Sequence, residues 1–166
     1  MSSSCAECGL DAEHLAIAEA ADLIDALGPQ YREAFAAVGD DRARLRTKAE
    51  PGVWSPLEYV AHLRDAVRYH GALSNRALNE DRPEFGAPDP DAIARNEGYN
   101  DADPDEVLDG LEQQTTRFAA RARSFTEHEL DRVVIRAGNE VTVRYMVRNV
   151  AHEGHHHLYD VRRLLA

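Results

Sequence analysis

Four of the eight histidines of this sequence fall within six consecutive positions near its carboxyl end. Neutral imidazole is the commonest protein ligand for transition metals, and residues four apart on a helix lie on one face, close enough to hold one ion. Two pairs have this spacing, His152 with His156 and Glu153 with His157. The sequence therefore predicts a metal site on the last helix, built from one of these two pairs.

Helical periodicity distinguishes the two pairs. At about 100° per residue, the apolar residues of the last helix form one stripe, which consists of Val143, Met146, Val147, Val150, Gly154, Val161, Leu164 and Leu165. Glu153 and His157 lie on or beside this stripe, whereas His152 and His156 lie roughly opposite to it. Because burying an unpaired polar group is costly, the inward pair indicates a shared metal. The alternative is a solvated, histidine-rich helix end in which Glu153 bonds to His157.

A third candidate ligand, His62, lies on an earlier helix with a clear start signal. Ser55 is the predicted N-cap, Pro56 occupies the first turn and Glu58 completes a capping box. His62 lies at the edge of the apolar face of this helix. A lone histidine there would be a satisfied core residue, but two candidate ligands on another helix favour a metal site.

Composition and charge limit the classes of function. The chain has 166 residues, enough for one domain with a core. Its net charge of -11 opposes binding to a nucleic-acid backbone. There is no apolar run long enough to span a membrane, and the first residues lack the basic and apolar regions of a signal peptide. We therefore expect a cytoplasmic protein that binds neither nucleic acid nor membrane.

The two cysteines, Cys5 and Cys8, form a Cys-x-x-Cys motif at the start of the chain. A structural zinc site usually needs four nitrogen or sulfur ligands, and only His14 follows nearby. A redox motif of this kind normally opens a helix after a strand, and no strand is predicted here. We expect a reduced, non-catalytic pair in a flexible terminus over residues 1–10. Partial metal binding and reversible disulfide formation are the alternatives.

The remaining patterns predict four helices, over residues 12–38, 55–79, 103–124 and 142–165. Two β-branched runs, 132–136 and 141–144, surround a Gly-Asn turn and predict a short hairpin. We therefore predict an all-α fold of one domain over residues 1–166: a four-helix bundle with a short β-hairpin before the last helix. Bundles build metal sites from side chains on facing helices.

A connection rich in Pro, Gly, Asp and Asn spans residues 81–103, with a short helix predicted over 91–96. A loop of this length is often a functional lid, and the alternative is a solvated connection. Its predicted pocket contacts are Phe85, Arg95, Asn96 and Tyr99. Three more residues lie near the expected mouth of the site without an assigned role, namely Asp65, Arg148 and Tyr159.

These motifs, in this order, resemble the DinB-like metalloprotein superfamily, and within it the mycothiol-dependent maleylpyruvate isomerase branch. The family's second helix tends to begin at Gly-x-Trp or Trp-Ser followed by His-Leu, here Gly52-Val53-Trp54-Ser55 and His62-Leu63. The last helix of that branch carries Glu-x-x-x-His-x-x-Asp, here Glu153, His157 and Asp160. The resemblance extends from the first helix to Leu165.

The resemblance implies that His62, Glu153 and His157 are metal ligands and that Asp160 supports them as a hydrogen-bonding partner. The alternative register is His62, His152 and His156. It would place Asp160 where the family has an apolar residue, so we prefer the first set. The Cys5–Cys8 motif lies outside the family core.

By the same resemblance, the expected function is a metal-dependent S-transferase that joins a low-molecular-weight thiol, such as mycothiol or bacillithiol, to an electrophilic small molecule. Lys48 is the single lysine among 19 basic residues. This arginine-rich composition is typical of high-GC, actinobacterial sequences and favours mycothiol. Zinc, nickel and manganese all suit the ligand set. The alternatives are a metal-dependent hydrolase or isomerase at the same site and a non-catalytic metal-binding stress or detoxification protein. An exposed face of the bundle is compatible with a homodimer.

Overall fold

The computed structural model describes residues 4–166, and its architecture is a bundle of four long helices. These are α1 (Ile17–Ala36), α2 (Pro56–Asn79), α4 (Pro104–Ser124) and α6 (Val143–Leu165). Two short helices, α3 (Pro90–Asn96) and α5 (Glu127–Leu130), lie in the connections. Both α1 and α2 pack against α4 and α6, so the core lies among all four long helices. The predicted four-helix bundle is confirmed.

Local capping explains where the helices begin. The Ser55 hydroxyl accepts a hydrogen bond from the Glu58 backbone N–H, and the Glu58 carboxylate accepts one from the Ser55 N–H at 2.8 Å. Asp103 caps α4 in a similar way, by accepting from two backbone N–H groups of the first turn. These caps satisfy donors that have no partner within the helix. The bounds predicted for α2 and α4 are therefore confirmed.

The first helix differs from its predicted range of 12–38. It begins at Ile17 and ends at Ala36, and it continues through Pro29 without interruption. The preceding residues form turns rather than helix. The backbone N–H of Ala16 donates to the Glu19 carboxylate at 3.1 Å, which marks the true start of the helix.

The β structure also differs from the prediction. The predicted hairpin is present as β2 (Val133–Arg136) and β3 (Asn139–Thr142), which pair antiparallel with Val134 opposite Val141. A third strand, β1 (Glu84–Phe85), pairs parallel with β2. The predicted hairpin is therefore confirmed, and the sheet is one strand larger than predicted. A hairpin alone is marginal in water, and the long connection supplies the strand that widens it.

Helix α6 packs tightly against α1 at Gly154. A Cβ atom at this position would lie 2.3 Å from Leu27 Cδ1, so a larger residue cannot fit without movement. The Tyr31 hydroxyl donates a hydrogen bond to the Gly154 carbonyl at 2.9 Å. Together, these contacts fix the rotation of α6 about its axis, and so they fix the directions of the side chains on either side of Gly154.

The connection 81–103 is structured. It contains β1, the short helix α3 predicted at 91–96, and a 3₁₀ turn at Tyr99–Asp101. The Arg46 guanidinium donates to the carbonyls of Asn100 and Ala102, at 2.8 and 2.9 Å, and thereby ties the end of this connection to the bundle. Within residues 4–166, no helix has both the length and the apolar character needed to cross a membrane.

Candidate metal centre and adjoining cavity

The three residues predicted as metal ligands meet between α2 and α6. His62 Nε2 lies 2.8 Å from Glu153 Oε1, and the rings of His62 and His157 lie 5.5 Å apart between centroids. Each of the three offers a ligand atom, and these atoms all lie within 4.8 Å of one another. The structure therefore brings together the set that the helical periodicity favoured.

Aromatic rings hold the two imidazoles in place. The indole of Trp54 lies 4.8 Å from the His62 ring, and the ring of Tyr59 lies 5.0 Å from that of His157. The side chains of His62 and His157 are each 17% exposed and that of Glu153 is 23% exposed. A partly open site of this kind restrains its ligands and still admits a small molecule.

The charge of Glu153 suits a metal ligand. Burial alone would raise the pKa of Glu153, but the hydrogen bond to His62 and the nearby imidazoles outweigh burial and lower that pKa. Asn149 Nδ2 also donates to Glu153 Oε2, at 3.4 Å. The carboxylate is therefore ionised at neutral pH, as coordination of a cation requires.

The Asp160 carboxylate lies beside Nδ1 of the His157 ring, and its role as support for a metal ligand stays a prediction. Its Oδ2 is 3.4 Å from His157 Nδ1, and it is nearly buried. The hydrogen bond to His157 lowers the pKa of Asp160 against the opposing effect of burial. Metal-binding histidines commonly donate their second N–H to a carboxylate, which fixes the tautomer and ring orientation. This contact would leave Nε2 of His157 for an ion.

Two imidazoles and a carboxylate fit a divalent metal well. This is a donor set used in catalytic zinc sites, where three protein ligands leave a position for water or substrate. It also suits nickel or manganese. The arrangement of the three side chains also supports the fit. His62 and Glu153 already satisfy each other through one hydrogen bond, yet His157 converges on the same point.

A cavity of about 730 Å³ adjoins the three ligands, with His62 and Glu153 in its wall. The connection 81–103 covers part of it through Pro88, Pro90, Ile93, Glu97 and Tyr99. Of the four predicted pocket contacts in this connection, Tyr99 alone lines the cavity. Phe85 instead packs under Arg76, whose guanidinium carbon lies 4.4 Å from the ring centroid. Arg95 and Asn96 are exposed.

One of the three residues expected near the mouth belongs to the cavity. Asp65 lines it and accepts hydrogen bonds from the Tyr99 hydroxyl at 2.7 Å and from Arg64 at 3.0 Å. Burial would raise the pKa of Asp65, but these two hydrogen bonds outweigh burial and lower it. Arg148 instead donates to the Leu15 carbonyl at 2.8 Å, and Tyr159 is exposed.

His70 is a cavity residue that the sequence analysis did not identify. Its Nδ1 lies 2.8 Å from the Ala66 carbonyl, which requires the proton on Nδ1. Among residues 4–166, its buried Nε2 has no hydrogen-bond partner. Burial lowers the pKa of His70, so the ring is neutral and Nε2 offers a lone pair that can accept a hydrogen bond. Its position two helical turns after His62 is the sequence signal for this residue.

The other histidine pair of α6 belongs to a second cluster. His152 and His156 lie beside Cys5 and Cys8, and Cys5 Sγ is 3.6 Å from His156 Nδ1. The structure therefore does not bring His62 together with His152 and His156, so the alternative register is not the observed grouping. Both histidines are half-buried, because the amino-terminal segment covers the side of α6 opposite the apolar stripe.

The environments of the two thiols differ. Hydrogen bonds from the Cys8 backbone lower the pKa of Cys5 to about 6, with the His152 side chain adding to the effect. Burial raises the pKa of Cys8. Flexibility of residues 1–10 stays a prediction. Cys5 and Glu7 both contact His156 on α6, so this part of the segment lies against the bundle.

Comparison with known proteins gives a family and a fold. A sequence model of the DinB superfamily matches residues 23–161. No protein of curated function matches the chain. Among solved structures, YfiT from Bacillus subtilis superposes with a TM-score of 0.80 at 20% identity, over 87% of this chain and 83% of its own. YfiT is described as a probable metal-dependent hydrolase with an unusual four-helix bundle topology.

Proposed function

Since this chain belongs to the DinB superfamily, we propose that it is a metal-dependent S-transferase that joins a low-molecular-weight thiol to an electrophilic small molecule. The metal ligands in this proposal are His62, Glu153 and His157. The observation that carries the proposal is the placement of His62 and Glu153 in the wall of a cavity of about 730 Å³, with His157 beside them in the same three-residue group. Three ligands leave an open position, and the cavity gives a small molecule access to it.

The chemistry at the site follows from the roles of its residues. When bound, a divalent ion would lower the pKa of a thiol or water placed at the open position and so supply a nucleophile at neutral pH. Glu153 contributes a fixed negative charge, and Asp160 orients the His157 ring through the contact at 3.4 Å. The Nε2 of His70, which has no hydrogen-bond partner among residues 4–166, is available to accept a hydrogen bond from a molecule bound in the cavity.

The cavity supports a polar thiol as co-substrate. Its volume lies within the range of small-molecule sites, roughly 300–1,000 Å³. Its wall offers both charges, with Asp65 and Glu97 opposed by Arg68 and Arg136, and an apolar surface from Ile93 and the two tyrosines. The arginine-rich composition of the chain favours mycothiol as the thiol.

A metal-dependent hydrolase is the second candidate function. YfiT, which shares the fold, is described as a probable metal-dependent hydrolase, and the same open position would serve water as well as a thiol. His70 would then accept a hydrogen bond from water. The two candidates share every ligand and differ only in the nucleophile.

The deciding experiment is a two-way omission assay on the purified full chain, with metal-stripped and reloaded protein tested against a model electrophile and a model ester. A thiol S-transferase loses turnover when either mycothiol or metal is withheld. A hydrolase needs metal alone. His62→Ala should reduce either activity on the order of a thousandfold. His155→Ala serves as the matched control, because His155 lies on α6 outside both ligand groups. Saturable binding of metal without any turnover would contradict both candidates.

A further inference from the structure

The residues opposite the apolar stripe of α6 form a second group of metal-ligating side chains, and nothing in the proposed function uses them. We propose that two cysteines of the amino-terminal segment and two histidines of α6 form a closed, structural zinc site that anchors this segment to the bundle. The four residues are Cys5, Cys8, His152 and His156.

The donor set is the first reason. Each of the four side chains offers one ligand atom, and these atoms all lie within 4.8 Å of one another. Two thiolates and two imidazoles form one of the standard tetrahedral sets of structural zinc sites, in which the protein fills every position. Thiolates also select zinc over the harder divalent ions. This group therefore differs in kind from the three-ligand group on the other side of the helix.

The backbone of the amino-terminal segment is folded to present both thiols. The Gly9 N–H donates to the Cys5 carbonyl at 2.9 Å, and the Cys5 N–H donates to the Leu10 carbonyl at 3.0 Å. Gly9 has φ +76°, a left-handed conformation that glycine adopts without a steric cost. The chain thus reverses directly after Cys8, and both sulfur atoms lie on the side that contacts α6.

The histidines show an unmet requirement at the same place. Within the described part of the chain, the buried Nε2 of His152 has no hydrogen-bond partner. Buried polar atoms in native proteins are nearly always partnered, so this nitrogen points to a group that binds it. A metal ion among the four side chains supplies that partner.

His156 is oriented for the same ion. Its Nδ1 faces Cys5 Sγ at 3.6 Å, while its Nε2 lies 3.2 Å from Glu7 Oε2. A carboxylate on the far nitrogen is the usual support of a histidine that binds zinc. Glu7 stands between the two cysteines in sequence, so the same short segment supplies both the sulfur ligands and this support.

A disulfide between Cys5 and Cys8 explains less of the structure. It would leave the buried nitrogen of His152 without a partner, and it would not explain why His156 lies beside Cys5. The zinc site is also independent of the proposed function, because the two groups share no ligand.

Cobalt substitution separates the two sites by their donor atoms. Protein refolded or exchanged with Co²⁺ should show sulfur-to-cobalt charge-transfer absorption in the near ultraviolet, because only the second group contains sulfur. This absorption should persist in His62→Ala and disappear in Cys5→Ser and in Cys8→Ser. Its absence from the wild-type protein under reducing conditions would overturn the proposal, whatever the fate of the other site.

Metal stoichiometry gives a second measurement. We expect zinc-loaded wild-type protein to bind two equivalents per chain, one for each group. His152→Ala and Cys8→Ser should each bind one, and the matched control His155→Ala should still bind two. Equal zinc content in Cys8→Ser and wild type would contradict the proposal.

A third measurement needs no variant and therefore does not depend on the folding of one. The two thiols of the native zinc-loaded chain should resist alkylation and become reactive once a chelator removes the metal. Equal reactivity of the thiols with and without chelator would overturn the proposal. So would a disulfide between the two cysteines in the native protein, if the reduced thiols then took up no zinc.

Discussion

Helix α6 carries two histidine-containing groups that are offset by a single residue, and they differ in almost every other respect. The group of Glu153 and His157 is completed by His62 from a facing helix and opens to a cavity. The group of His152 and His156 is completed by two thiols from the start of the chain and has no cavity of its own among the four described in the structure.

The difference shows how donor type and access together assign a role. Three nitrogen and oxygen ligands beside a cavity leave a position for a reacting molecule, whereas four ligands that include two sulfurs leave none. One helix can therefore support an open site and a closed site, since a shift of one residue turns a side chain by about 100°.

The largest expected effect would confirm or refute the reactive role of the open group, which consists of His62, Glu153 and His157. His62→Ala should reduce turnover on the order of a thousandfold, because a catalytic ion contributes several kcal/mol to transition-state stabilisation. Cys8→Ser should leave turnover per bound catalytic metal nearly unchanged. Steady-state rates with metal content measured on the same samples test both. A comparable loss in the two variants would remove the functional distinction between the groups.

The next effect concerns the stability that zinc adds at the closed group, which consists of Cys5, Cys8, His152 and His156. Zinc should raise the free energy of unfolding by about 4 kcal/mol when its free concentration is roughly a thousandfold above the Kd of the site. Urea titrations of His62→Ala, with zinc and with a chelator, isolate this contribution, and Cys8→Ser in the same background should lose it. A zinc-dependent midpoint that survives Cys8→Ser would mean that another group holds the ion.

Gly154 lies between the two ligand pairs, and its substitution should affect both. Gly154→Ala should destabilise the protein by about 1–3 kcal/mol, because the new Cβ would lie 2.3 Å from Leu27 Cδ1. Gly71→Ala on α2 is the matched control, since its Cβ would meet only Phe118 Cδ2 at 3.6 Å, an ordinary contact. Thermal unfolding of the two variants measures the difference. Equal unfolding midpoints for the two variants would show that Leu27 and the two helices accommodate the added methyl group at little cost.

Asp160 sharpens the comparison because it contacts both groups. Its Oδ2 lies 3.4 Å from His157 Nδ1 and 3.6 Å from His156 Nε2. Asp160→Asn should weaken metal affinity about 10- to 100-fold, and the effect should be larger at the open group, where Asp160 has no competing carboxylate. A cobalt titration reports the two groups separately. The sulfur-to-cobalt absorption follows the group that contains cysteines, and cobalt binding that leaves this absorption unchanged follows the other group. Unchanged affinity at both would deny Asp160 any supporting role.

The smallest effect belongs to the cavity wall. The folded-state pKa of Asp65 lies below its ordinary value of 3.8, so the stability it contributes is fully present above that value. This stability is lost as the pH falls through the lowered folded-state pKa. Asp65→Asn should therefore flatten the acid limb of the stability curve, as measured by urea midpoints between about pH 5 and pH 3. Parallel limbs for the variant and the wild type would contradict this.

The fold and the Glu153–His157 pair could be predicted because both depend on local signals. His62, which lies 91 positions before Glu153, was joined to this pair through the bundle pattern and the family resemblance. The caps at Ser55 and Asp103 mark helix starts directly, and the apolar stripe of α6 points Glu153 and His157 inward. The closed group depends on a contact between Cys5 and His156 across 151 positions of sequence. Helical periodicity predicts that the side of α6 opposite the apolar stripe is exposed to solvent. It carries no information about a terminal segment that packs against that side. The strand Glu84–Phe85 was missed because its partner strand is distant in sequence. His70 was missed because only the folded connection 81–103 shows that a cavity lies beside it.

The tight packing at Gly154 restricts how this helix can change over evolutionary time. Both ligand pairs lie on one rigid element, so inserting or deleting one residue between Val143 and Ala151 would turn them together by about 100° and shift them by about 1.5 Å. It would also move the glycine away from Leu27 and bring a side chain into its place. We therefore expect homologous chains with both groups to vary here by substitution, with changes of length confined to the connections.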